Sequence, residues 1–158
     1  MLFRSKQIVS FARPQVTMEP ITIPVYNSMA YIAGRPTWSA TQVILRDDAG
    51  GNVTRLVGEQ LQKQFDFMEQ SSAATGIDYK FITKFEVLDG GNGATEPTTL
   101  ETWEMYGCFL TSVDYANAEY SSNDPMTIQL TIRYDNAIQS PIGTGVGSVI
   151  GTNFIKIG

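Results

Sequence analysis

The sequence predicts a mainly β fold, an antiparallel β-barrel or sandwich with one helix on its flank. Three observations predict it. Apolar and polar residues alternate with period two in several segments, the mark of half-buried antiparallel strands. One stretch switches to steps of three and four, the mark of an amphipathic helix. Clusters of Gly, Pro, Asn, Asp and Ser separate these segments.

The elements follow in order: strand, long strand, strand, helix, strand, strand, strand. The run from Ile21 to Ala33 reads as one long extended strand. Pro20 and Pro24 exclude a helix there and favour an edge or a bulge. At ~3.3 Å per residue such a strand would be about 40 Å long. Thr37–Arg46 reads as the next strand, closed by the turn Asp47-Asp48-Ala49-Gly50-Gly51. Val53, Leu56, Val57, Leu61, Phe65 and Met68 then fall on one helical stripe, which predicts a helix over about 53–71. Asn52 is its expected N-cap and Gly76 its left-handed terminator. Gly58 inside it costs about 1 kcal/mol against alanine and is expected where a neighbouring backbone comes close. Residues 79–88, 100–112 and 126–134 read as strands, the last with Ile128, Leu130 and Ile132 on one face and Thr127, Gln129 and Thr131 on the other. Two polar loops, Asp89–Thr99 and Asp114–Pro125, join them. The expected organisation is one β-barrel domain over 1–139 and a Gly-rich extension over 140–158. That extension is read as a flexible linker ending in a possible added strand.

Composition narrows function. The chain has 158 residues, 42% of them hydrophobic and 17% charged, enough for one packed core. It has 11 basic and 16 acidic residues, a net charge of −5, whereas gripping phosphates by counterion release needs the opposite sign. No histidine is present, which removes His-based acid–base catalysis and the Ser-His-Asp triad. The one cysteine excludes an internal disulfide framework and a thiolate zinc cage. No apolar run approaches the roughly 20 residues of a membrane-spanning helix. Met1–Phe11 carries Arg4 and Lys6 without an apolar core, so no secretory leader and no membrane anchor are expected.

The local motifs carry no chemistry. Gly143, Gly145 and Gly147 miss the dinucleotide spacing, since Ser148 stands at the third glycine's place. Gly90-Gly91-Asn92-Gly93 has neither a lysine nor a following helix. Asp47 and Asp48 sit in a turn, and Glu101 and Glu104 face opposite sides of a strand, so neither pair is a glycosidase couple. Cys108 lies mid-strand with no base to activate it and reads as a core or interface residue. Catalytic, metal and cofactor residues are therefore expected to be none. An acidic stretch from Glu86 to Asp135 holds nine carboxylates and one base, Arg133. Read alone, it is a solvated face. A β-barrel module binding carbohydrate or single-stranded nucleic acid is the rival class, and an enzyme is the weakest.

The order of features from residue 8 to 137 resembles the tail tube proteins of contractile-tailed bacteriophages. The resemblance is carried by Met18-Glu19-Pro20-Ile21-Thr22-Ile23-Pro24-Val25-Tyr26, then by Tyr31-Ile32-Ala33-Gly34-Arg35-Pro36-Thr37-Trp38 leading to a strand that ends at Asp47-Asp48. An amphipathic helix follows, then two strands around a polar loop. The resemblance implies a non-enzymatic structural virion protein, assembled in the host cytoplasm into the phage tail. Homo-hexameric rings stack into a tube that conducts DNA and the tape-measure protein, and no cofactor is needed. Sheath, tape-measure, baseplate and tail terminator proteins are the implied partners, with viral DNA passing through without specific binding. The same fold serves type VI secretion tubes, so a baseplate initiator, a terminal ring or a bacterial secretion tube are the alternatives.

On this reading Thr22, Thr41, Glu101, Glu104, Thr127, Gln129 and Thr131 are expected to line an acidic and hydroxyl-rich lumen. Asp47, Asp48, Phe154, Ile155 and Ile157 are expected at contacts between subunits or rings. The family's N-terminal strand has no counterpart here. Thr152–Gly158 resembles it, and is expected to fold back and fill the vacant slot.

Overall fold

The computed structural model describes residues 7–119, 121, 123–140 and 145–147. The strands are β1 (Ile8–Phe11), β2 (Val16–Val25), β3 (Ser28–Trp38), β4 (Thr41–Arg46), β5 (Phe65–Asp66), β6 (Ser71–Ser72), β7 (Phe81–Leu88), β8 (Thr99–Asp114), β9 (Thr127–Arg133) and β10 (Asn136–Ser140). The helix, α1, is Asn52–Gln64. The fold is thus mainly β with one helix, as expected. The main sheet has the order β1–β4–β9–β8–β10, with β7 also paired to β8. β2 and β3 form a separate two-stranded sheet, as do β5 and β6. None of the described helices is long and apolar enough to cross a membrane. The chain divides into two compact units, and β8 contributes to both.

The first unit holds the described residues up to Tyr79 together with Leu110–Arg133. Its sheet is curled into a half-barrel. β4 and β9 run antiparallel with Thr41 opposite Ile132, Val43 opposite Leu130 and Leu45 opposite Ile128. Directly opposed residues share a face. These six are all buried, and with Leu110, Val53 and Val57 they make the core. Burying each valine of α1 stabilises the fold by about 1.5–3 kcal/mol.

The run from Ile21 to Ala33 is not one strand. It turns at Tyr26-Asn27, and β2 and β3 pair back on each other as a hairpin. The expected bulge is there: Met18 opposes Pro36 but Pro20 opposes Ala33, so β3 carries one residue more. Gly34 fits this bulge because a Cβ on it would lie 2.3 Å from the Glu19 carbonyl oxygen. The expected strand Thr37–Arg46 is likewise broken, at Ser39-Ala40 between β3 and β4.

α1 ends seven residues earlier than the apolar stripe suggests. Phe65 is extended, and its ring packs edge-on against Phe67 with centroids 5.2 Å apart. Met68 is exposed. The Gln64 side chain is committed elsewhere: its amide donates to the Leu110 carbonyl at 2.9 Å and accepts from the Leu110 N–H at 2.8 Å. One side chain thus substitutes for a missing strand partner on β8. Asn52 is not the N-cap. Gly51 takes that place at φ 63 without a side-chain cap, and Asp48 supplies the acceptor, with Asn52 N–H donating to its Oδ1 at 3.0 Å. Gly76 opens a 3-10 turn, Gly76–Asp78, instead of closing the helix. A Cβ added to Gly58 would meet nothing within 4 Å among the described residues, so the close backbone approach expected there is not found. Gly58→Ala is accordingly expected to stabilise the protein by about 0.5–1 kcal/mol, read as a rise in thermal midpoint.

The second unit holds Lys80–Phe109 with the described residues from Tyr134 on. Here β8 lies between β7 and β10, with Trp103 opposite Phe85 on one side and Gln139 on the other. Phe85, Trp103, Met105, Cys108, Tyr134 and Ala137 form its core. β8 is bulged: Thr83 opposes Met105 but Phe81 opposes Cys108. The extra residue lets Trp103 and Met105 before it and Cys108 after it all be buried. Gly107 carries the bulge at φ 66. Residues 145–147 lie against β10, where Gln139 N–H donates to the Val146 carbonyl at 2.8 Å.

Candidate assembly interface

The β2–β3 hairpin is the part of the chain least able to stand alone. Among the described residues it pairs with no other strand, and nearly every residue in it is exposed. An isolated hairpin is at best marginal in water. Both faces are apolar. Ile21 and Ile32 oppose each other on one face at 55% and 53% exposure, flanked by Ile23, Val25 and Ala30. Met18, Thr22, Tyr31 and Met29 lie on the other, with Pro20 and Pro24. A two-sided apolar ribbon with unpaired edges is an aggregation hazard unless another chain covers it. The two prolines remove amide donors from one edge, which limits indiscriminate strand pairing.

The other expected lining residues fall in three places. Thr22 is on the hairpin, exposed, opposite Tyr31. Thr127, Gln129 and Thr131 share one face of the β4–β9 ladder with Arg46, Ile44 and Gln42. Thr41 is a correction. It is 2% exposed, lies on the core face with Val43 and Leu45, and its hydroxyl donates to the Ala12 carbonyl. Gln42, one residue on, holds the position expected of it. Strand parity places Arg133 beside Thr131's face as well, so these two strands present hydroxyls, amides and two arginines, and no carboxylate, on that face. The expected acidic lining is not found on them.

Glu101 and Glu104 belong to the second unit and lie on opposite faces of β8, as their spacing suggested. Glu101 is on the core side, where its Oε1 accepts from Trp103 Nε1 at 2.5 Å and from Gln139 Nε2 at 3.0 Å. Glu104 is on the other side with Lys84, and its Oε2 accepts from the Tyr106 hydroxyl at 2.7 Å, which pushes the phenol's pKa up. Cys108 is fully buried, its thiol donates to the Met105 carbonyl at 3.3 Å, and burial pushes its pKa up; it is a core residue. Among the described residues no group of side chains is arranged to hold a metal ion.

Asp47 and Asp48 have local work. Asp47 accepts from the Thr54 hydroxyl and from the Asp48 N–H, and Asp48 accepts from both the side-chain amide and the N–H of Asn52, each at 3.0 Å. Together they fasten the start of α1. Phe154, Ile155 and Ile157, and the strand expected over Thr152–Gly158, lie outside the described residues. The Asn52 bonds hold the Asp48 carboxyl below its ordinary value near 3.8, and bonds from Gln62, Met68 and Glu69 do the same to Asp66. Depressed carboxylates contribute stability that is present above their unfolded pKa and lost as pH falls through the folded one. The thermal midpoint is therefore expected to fall as pH drops below about 4, the ordinary carboxylate value, and the acid limb to flatten in Asp48→Asn/Asp66→Asn.

Residue type alone does not reveal the hairpin tip. Val25 pairs with Ser28, leaving Tyr26 and Asn27 as the turn, with Tyr26 at φ 47 where glycine is usual. Asn27 is the only turn signal in that run.

No protein-family model matches the chain, and no curated protein matches it in sequence. Solved structures do match. A chain from the sheath/tube terminator of an extracellular contractile injection system, PVC, in its extended state superposes with a TM-score of 0.60 at 14% identity, over 84% of this chain and 84% of that one. A chain from the anti-feeding prophage baseplate, six-fold symmetrised, gives 0.60 at 10% identity, over 82% and 78%. A chain from the PVC sheath–tube complex in its extended state gives 0.55 at 16% identity, over 88% and 91%. Likeness at such identities is likeness of fold: this chain has the tail-tube fold of contractile injection systems.

Proposed function

We propose that the protein is a non-catalytic structural subunit whose copies form hexameric rings that stack into a tail tube. The observation that carries this reading is the β2–β3 hairpin, apolar on both faces and exposed on both. Identical neighbours related by rotation would cover it and pair its edges, and such heterologous contacts close a ring when the rotation closes. The fold likeness to chains in injection-system assemblies supports the same reading, as does the six-fold symmetry of one of them.

In this role the tube conducts DNA and the tape-measure protein during injection, within a phage tail that also holds sheath, baseplate and terminator proteins. The polar ladder of Gln42, Thr127, Gln129 and Thr131 is the proposed lining, since hydroxyls and amides exchange hydrogen bonds readily with a moving polar polymer. A second reading, a ring at one end of the tube, is supported by the TM-scores of 0.60 with chains from terminator and baseplate structures against 0.55 with one from a sheath–tube complex.

Negative-stain microscopy of the concentrated protein tests both. Six-fold rings that stack into long tubes support the main tube. Single rings that do not stack support the end ring. A monodisperse monomer that binds carbohydrate or single-stranded nucleic acid would replace both with a binding module.

A further inference from the structure

Two features of the first unit sit at opposite ends of its sheet. The β4–β9 ladder runs from Thr41 opposite Ile132 at one end to Arg46 opposite Thr127 at the other. The hairpin is rooted at the first end, where β3 closes at Trp38 and Ser39 N–H donates to the Gln15 carbonyl at 2.9 Å. At the second end, the connection from β8 to β9 encloses an open cavity of about 420 Å³. Ala116, Ala118, Pro125 and Met126 give it apolar walls, and Asn117 and Glu119 give it polar groups. The Met126 wall is fixed to the end of β4, because Asp47 N–H donates to the Met126 carbonyl at 2.9 Å.

The hairpin tip is Tyr26, 105% exposed and held at φ 47. A non-glycine residue in that region costs about 1–3 kcal/mol and persists where surrounding structure or function requires it. Within one copy the ring covers nothing. A hairpin arm of ten residues spans ~33 Å and the six of β4 only ~20 Å. The tip can therefore reach past the sheet that roots it.

We propose that Tyr26 of one copy seats in the cavity over 116–127 of a second copy in the next ring, as a knob in a hole. The inference rests on the tube reading and names the contact that would join successive rings. The apolar walls match the aromatic ring, and the phenol hydroxyl donates to the Glu119 carboxylate or accepts from the Asn117 amide. Knob and hole lie at opposite ends of one subunit, so the contact is head-to-tail. Such a contact cannot close on itself as a two-fold pair and repeats along an axis.

The test mixes two single variants, Tyr26→Cys and Ala118→Cys, under mild oxidation, with the buried Cys108 kept in both. The proposal expects a disulfide-linked pair in the mixture and not in either variant alone. It also expects Tyr26→Ala to keep rings and lose stacked tubes, while Tyr26→Phe keeps both. Tubes that form without the cross-link, and that persist in Tyr26→Ala, overturn this contact and leave the tube reading standing. Absence of rings and tubes in the unaltered protein overturns the tube reading, and this contact with it.

Discussion

Replacing Gly107 by alanine is expected to remove about 2–5 kcal/mol of stability. Two costs add. The residue sits at φ 66, where a Cβ is strained by about 1–2 kcal/mol. That Cβ would also lie 2.1 Å from Asp135 Oδ2, an overlap no rotamer of the alanine relieves. Forcing Asp135 aside is an overpacking cost of about 1–3 kcal/mol. Asp135 is held in place by its own N–H, which donates to the Tyr106 carbonyl at 2.9 Å, and by Lys80 Nζ at 2.7 Å. The ion pair is partly exposed and adds little. A single domain has about 5–15 kcal/mol in all, so this substitution takes a large share. Urea denaturation should show the midpoint falling with an unchanged slope. Adding Asp135→Gly should recover the overlap cost and leave the dihedral cost.

The second large effect falls on association and hardly on the fold. Ile21→Lys with Ile32→Glu places an ion pair across the two strands, where two exposed isoleucines now oppose each other. The stability of the single chain should move by less than about 0.5 kcal/mol, as for other exposed surface sites. In an assembly that buries both side chains the loss is about 1.5–3 kcal/mol for each. Two per copy raise the concentration needed for ring formation by about 10²- to 10⁴-fold. Sedimentation velocity on the variant and its parent reads this directly. Equal association of the two would mean that another surface joins the copies.

The parts legible in the sequence were those with one wet face and one dry one. β9 alternates because Ile128, Leu130 and Ile132 are buried while Thr127, Gln129 and Thr131 are less so. The hairpin has no such contrast. With both faces apolar, its alternation gives no hint of a reversal at Tyr26, and a tyrosine at positive φ carries no turn signature. In β4, Thr41 and Gln42 are both polar, so polarity could not choose between them, and a slip of one residue exchanged the faces. Only the pairing with β9, and the hydroxyl's bond to Ala12, place Thr41 inside. The helix end was hidden for a similar reason. Phe65 and Met68 keep the helical spacing, but Phe65 belongs to β5, and the Gln64 amide serves β8. The Gly107 bulge reverses strand parity within one continuous run, which no fixed period can anticipate.

The central claim is that one copy is incomplete, and that other copies cover both faces of its hairpin. Hydrogen exchange at residues 16–38, followed over a dilution series alongside light scattering, tests it most directly. The account predicts that these amides are protected while the mass is that of a ring, and become open as the mass falls to one chain. Hairpin amides that exchange at the same rate at every concentration, in a protein that is monomeric throughout, would contradict it.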